Sequence, residues 1–225
     1  PYVLGALLGD GGLTKSEGVL TTNDIEIVDR IRTLGYDIIK RKSKYAWYVH
    51  DLNSKIRELG INVKSENKHV PEEYLFNSIQ NRIELLRGLM DTDGSVYGNM
   101  ICEYSTTSEK LKDAVVFLVQ SLGGKAKTKK RTTSCNGKPG LPSYRVYVKL
   151  DGINPFSLKR KAERFHKIRY RKERILRKIE LIRKEESKCL MVDSYDNTYL
   201  TDNFIVTHNS WLAIVKVIHH LLFVQ

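Results

Sequence analysis

LGALLGDGG, from Leu4 to Gly12, and LRGLMDTDGS, from Leu86 to Ser95, are two copies of one pattern. In each, a Gly stands five residues before an Asp, and a second Gly follows that Asp: Gly5, Asp10 and Gly11, then Gly88, Asp93 and Gly94. The echo continues downstream. Thr21-Thr22 and an amphipathic segment ending at Leu34-Gly35 match Thr106-Thr107 and a segment ending at Leu122-Gly123. Aromatic alternating runs follow both, YAWYV at Tyr45–Val49 and YRVYV at Tyr144–Val148, and their period of two marks strands. The chain reads as a duplicated unit of helix, strands, helix, strands, helix.

Glycine inside a helix costs about 1 kcal/mol relative to Ala, so Gly5 and Gly9, one turn apart, need a reason. Close packing supplies it: Gly88 and Thr92 repeat the spacing, and two such helices crossing through their small faces would bring Asp10 and Asp93 together. Carboxylates at adjacent helix C-termini repel each other and oppose the helix field unless a cation lies between them. Mg²⁺ is the expected occupant, because a hard ion held by one or two carboxylates is usual apparatus for phosphodiester hydrolysis. A single copy would be read more simply as an Asp ending a helix.

Composition points to the same partner class. The formal charge is +12 and the pI about 9.5, an excess that commonly faces nucleic acid. A hydrophobic fraction of 41% is too high for intrinsic disorder. Cys102, Cys135 and Cys189 are far apart and odd in number, which suggests neither a disulfide framework nor a zinc site and fits a cytoplasmic location. The apolar run Trp211–Val224 carries Lys216, His219 and His220 and is not a spanning helix, so no membrane partner is expected.

Val3–Gly11 and Leu86–Gly94 resemble the two signature helices of the LAGLIDADG homing endonucleases. Leu8 departs from the acidic sixth position of that pattern, whereas Asp91 keeps it and is read as structural. The resemblance implies an α/β (α+β) fold of two pseudo-symmetric αββαββα halves, at 1–80 and 81–186, in a monomer. It implies Mg²⁺-dependent cleavage of double-stranded DNA, with Asp10 and Asp93 as metal ligands and catalytic acids, assisted by Lys68 and Lys159. DNA contacts would come from Tyr45 and Trp47, from the basic strand at Lys125, Lys127, Lys129, Lys130 and Arg131, and from Tyr144, Arg145, Tyr147 and Lys149. From Lys159 to Lys184, thirteen Lys and Arg among apolar residues at helical spacing predict a long basic helix.

The tail LMVDSYDNTYLTDNFIVTHNS, 190–210, resembles the C-terminal blocks of inteins. Its local chemistry agrees: the Asn209 amide can attack its own carbonyl to form a succinimide, His208 can protonate the groups involved, and Ser210 can accept the upstream chain. Asp196 and Asp202 are candidates for tuning that step. This assigns 187–209 to a short-stranded splicing segment, needing an N-terminal splicing block that precedes Pro1, and 210–225 to the host flank. An apolar helix after Ser210 suggests an insertion within GxxxxGK[ST], in a P-loop ATPase such as a phage terminase large subunit or a helicase. Two alternatives compete: a free-standing intron-type endonuclease or RNA maturase, which the THNS tail opposes, and an inactive DNA-binding relative, which the retained Asp10 and Asp93 oppose.

Overall fold

The computed structural model describes residues 1–97, 101–132, 134–135, 138–165, 178, 180–181, 183, 186 and 191–208. The chain divides into two compact units, Pro1–Arg169 and Tyr170–Gln225. The first unit opens with α1 (Tyr2–Asp10), β1 (Gly11–Gly12), β2 (Val19–Thr21), α2 (Ile25–Thr33), β3 (Ile38–Lys40), β4 (Ala46–Val49) and α3 (Asn53–Glu58). A 3₁₀ turn at Ser65–Asn67 and the short α4 (Glu72–Leu75) lead into a second run: α5 (Ile79–Asp93), β5 (Gly94–Tyr97), β6 (Ile101–Thr106), α6 (Glu109–Ser121) and β7 (Lys125–Arg131). A small hairpin, β8 (Ser134–Cys135) and β9 (Lys138–Pro139), precedes β10 (Ser143–Lys149) and α7 (Lys159–Ala162). Each run is an αββαββα unit, as the duplicated sequence predicts, and the second carries the extra hairpin at its tip.

The sheets share one topology. Both are antiparallel and four-stranded, in the orders β1-β2-β4-β3 and β5-β6-β10-β7. Alternation decides which face is covered: Leu20, Trp47, Val49, Cys102, Tyr104, Val146 and Val148 are buried, whereas Tyr48, Arg145 and Tyr147 lie on the opposite faces. Helices pack on the buried side. α6 begins where the Ser108 hydroxyl accepts from the Leu111 N–H at 3.1 Å and turns Leu111, Val115, Leu118 and Val119 into the core.

At the centre α1 and α5 cross. Tyr2, Val3, Leu4, Gly5, Ala6, Leu7 and Leu8 are all buried, so α1 is apolar all round because protein surrounds it. A Cβ on Gly5 would meet the Leu85 carbonyl oxygen and lie 2.9 Å from the Leu89 nitrogen, and one on Gly88 would lie 2.8 Å from the Ala6 nitrogen. The backbones touch at these two glycines, one from each copy, so the pseudo-twofold axis passes between them.

The long basic helix expected from Lys159 is absent from the described residues that would begin it. α7 ends at Ala162, followed by a turn; 166–177, which would carry most of the expected helix, lie outside the described residues. The Ala162 carbonyl accepts instead from the Asn154 side-chain amide at 3.2 Å and from the Phe165 N–H at 3.2 Å, a tightened last turn that closes the helix.

In the second unit, β11 (Tyr199–Thr201) pairs antiparallel with β12 (Ile205–Thr207) across a tight turn at Asp202–Phe204. A preceding turn is closed by Asp196, whose carboxylate accepts from the Thr198 N–H at 3.1 Å and hydroxyl at 2.7 Å. These bonds hold the Asp196 carboxyl below its ordinary pKa. His208 follows β12; Asn209 and Ser210 lie outside the described residues.

Candidate catalytic and nucleic-acid-binding site

Because α1 and α5 cross at their glycines, their C-terminal ends emerge side by side. A Cβ on Gly9 would lie 3.1 Å from the Asp93 Oδ2, which puts that carboxylate against the last turn of α1, next to Asp10. Burial is the larger cause of a raised pKa at both acids; at Asp93 the charge of Asp10 adds to it and the carboxyl is pushed up to about 7. Lys68 and Lys161 pull in the opposite direction. Burial and the like charge of its neighbour thus both oppose ionisation of Asp93.

Two buried ammonium groups complete the setting. Lys68 donates to the carbonyls of Gly9 and Gly11, each at 2.8 Å, at the end of α1. Lys161 donates to the carbonyls of Met90 at 3.0 Å, Asp91 at 2.5 Å and Gly94 at 2.6 Å, at the end of α5. Each lysine thus fills the role of a helix C-cap with a full charge, where the helix field favours a cation. Burial lowers both pKa values, that of Lys161 to about 8.

The lysine at the α5 end is Lys161 and not Lys159. Lys159 has a side chain 76% exposed and, among the described residues, pairs only with Glu163, at 3.9 Å. The sequence held the clue, since Leu158, Lys161, Ala162 and Phe165 share a helical stripe whose apolar members pack on the core. Asp91 anchors this segment: its Oδ1 accepts from the Ser157 and Leu158 N–H groups at 2.9 and 3.1 Å, and its Oδ2 accepts from the Tyr2 hydroxyl at 2.8 Å. Leu8, at the matching position of α1, sits in the core. Arg160 then forks onto Asp24 of the first half, at 3.0 and 2.7 Å.

Two of the aromatic DNA contacts expected from the sequence are core residues. Trp47 is buried, its indole N–H donating to the Thr22 carbonyl at 3.3 Å, and Tyr144 is buried one position from Arg145. Both stand on the helix-facing side of their strands, a choice of face that alternation alone left open. Lys130 pairs with Tyr144 and shares that side, its ammonium 5.8 Å from the ring centre. Tyr45 is 40% exposed, beside Lys44.

The open face of the second sheet gathers the remaining cations. Register places Lys125, Lys127, Lys129 and Arg131 of β7 opposite Lys149, Tyr147, Arg145 and Ser143 of β10. One acid interrupts them. Glu103 of β6, buried on this face, pairs with Arg145 at 3.0 Å, and nothing in the sequence had marked it. A cleft of about 300 Å³ is bordered by Lys68 and Asp93 and by Ser105 and Ser143 of these strands.

Among the described residues no group of three or more His, Cys, Asp or Glu could hold a metal, and no helix is long and apolar enough to cross a membrane. A cation at the helix ends would rest on Asp10 and Asp93 alone, with water and substrate oxygens, a donor set that suits a hard divalent ion and not zinc.

Known proteins resemble the chain in three ways. Residues 80–183 match the family described as the LAGLIDADG-like domain. A replicative DNA helicase, DnaB, from Mycobacterium intracellulare is 31% identical over 222 residues; these cover 95% of this chain and 35% of that protein, so the chain spans about a third of its relative's length. Among solved structures, mesophilic variants of the homing endonuclease I-DmoI superpose with a TM-score of 0.45 at 16% identity, covering 66% of this chain and 81% of theirs. I-DmoI in complex with DNA and Ca superposes with a TM-score of 0.46 at 14% identity, covering 72% and 93%.

Proposed function

We propose that residues 1–186 are a homing endonuclease that makes a Mg²⁺-dependent double-strand break in DNA. The observation that carries the reading is the pairing of Asp10 with Asp93, two raised carboxyls at crossed helix ends, one from each copy of the repeat. Asp10 and Asp93 would hold the divalent ion, which when bound supplies Lewis acidity to a phosphodiester. Lys68 and Lys161 fix the carbonyls at the helix ends and offset the negative charge there, while the cationic sheet face meets the phosphates. The halves are 1–80 and 81–186 of a monomer. Asp10→Asn and Asp93→Asn should each abolish Mg²⁺-dependent cleavage of a duplex selected for binding, by about 10²-fold or more, and leave duplex binding intact, because the acids hold metal and not DNA. Unchanged cleavage in both variants would refute the site.

The remainder, 187–209, is proposed as the C-terminal splicing segment of an intein, with 210–225 the flank of an ATP-driven host. Support comes from the splicing-block pattern around His208, Asn209 and Ser210 and from similarity to a replicative helicase over nearly the whole chain. With an N-terminal splicing block supplied, Asn209→Ala should stop release of the segment beginning at Ser210, because alanine has no amide nucleophile, and His208→Ala should slow it. Release at the unmutated rate in Asn209→Ala, read by mass, would sink the assignment.

A further inference from the structure

A buried carboxylate is out of place on a surface built to meet phosphates. Glu103 lies on the open face of the second sheet, its side chain 4% exposed, amid Lys125, Lys127, Lys129, Arg131 and Lys149. Burying its charge is costly, and its attraction to a fixed cationic partner must offset that cost. Its partner is Arg145, whose Nη1 stands 3.0 Å from Oε1, and the Ser105 hydroxyl donates to the same oxygen at 3.5 Å. The first sheet offers a contrast: Arg41 and Glu17 there pair at 3.4 Å with both side chains nearly half exposed, the sort of pair that restrains little.

We infer that Glu103 is a positioning residue that holds the Arg145 guanidinium as a rigid base reader, selective for guanine, while Lys127 and Lys129 beside it contact phosphates. This rests on the proposal that the sheet face binds DNA. A lysine is a mobile point charge that follows a phosphate; an arginine is a planar fork that fits the O6 and N7 acceptors of guanine at two points. The fork discriminates best when its orientation is fixed before DNA arrives, which the buried Glu103 does. The negative charge lowers general attraction to DNA, and selectivity is gained in exchange.

The test is enrichment of a random duplex library by the full chain, with the salt dependence of binding to an unselected duplex measured in parallel. The wild type should enrich sites with guanine at one position, preferred about 5- to 150-fold over other bases there. Arg145→Lys and Glu103→Gln should lose that preference, and Glu103→Gln should bind unselected duplex at least as tightly as the wild type. Lys127→Ala should keep the preference and flatten the log-log salt slope by about one. Unchanged circular dichroism confirms that the variants are folded; should Glu103→Gln not fold, Glu103→Asp, whose shorter side chain cannot hold the guanidinium in the same place, takes its part and should weaken the preference. A wild type whose binding ignores salt would overturn the DNA face itself. A wild type that selects a sequence which both variants select equally would overturn only the role of Glu103 and Arg145.

Discussion

Asp93→Asn should make the metal-free protein more stable at pH 8, although it removes a residue proposed to be essential. Folding raises the Asp93 carboxyl from 3.8 to about 7, so between those values the folded chain binds a proton that the unfolded chain has released. With more protons on the native state, stability falls as pH rises across that window; it is unaffected by this group below about pH 4 and reduced in full above about pH 7. At about 1.4 kcal/mol per pH unit, the gap from 3.8 to about 7 amounts to at most about 4 kcal/mol. Asparagine has the same shape without the charge and relieves Asp10 as well. Urea unfolding in EDTA, followed by the fluorescence of buried Trp47, should show Asp93→Asn ahead by about 2 to 4 kcal/mol at pH 8 and level with the wild type near pH 4. Mg²⁺ at a hundred times its dissociation constant should return nearly 3 kcal/mol to the wild type, and far less to the variant. Equal stability at pH 8, or an advantage that grows on acidification, would refute the reasoning.

Lys161→Met should destabilise the fold by about 3 kcal/mol or more, since several carbonyls at the α5 end lose their donor together, whereas Lys159→Met should stay within about 0.5 kcal/mol; thermal melts of the two separate a buried cap from a surface charge. Gly88→Ala should gain about 1 kcal/mol in helix propensity and lose more, about 1 to 3 kcal/mol or beyond, because the new methyl meets backbone on α1 that cannot turn aside. A net stabilisation in urea unfolding would show that α1 and α5 do not touch there.

The architecture was legible because a repeat writes each signal twice. Gly5 and Gly88, weak separately, locate the crossing together, and the order of elements in the second copy follows from the first. What escaped the sequence lies where a single residue decides. Trp47 and Tyr144 were expected at DNA and are buried instead, because aromatic strands alternate either way until something packs on one side. Lys161 was passed over for Lys159 because cations crowd that stretch, although the stripe through Leu158, Ala162 and Phe165 identified the one that turns inward. Glu103 depends on register between β6 and β10, which no local pattern fixes.

The seam at Gly5 and Gly88 also ties the two halves of the repeat to each other. A side chain added at either glycine collides with the other half, so neither copy can change there without the other. Outward-facing strand positions carry no such reciprocal veto. Between the two copies within this one chain, Gly5, Asp10 and Gly11 recur as Gly88, Asp93 and Gly94, while Ala46 on one sheet stands where Arg145 does on the other. The open face of one half can therefore change alone, whereas the seam can change only in both halves together.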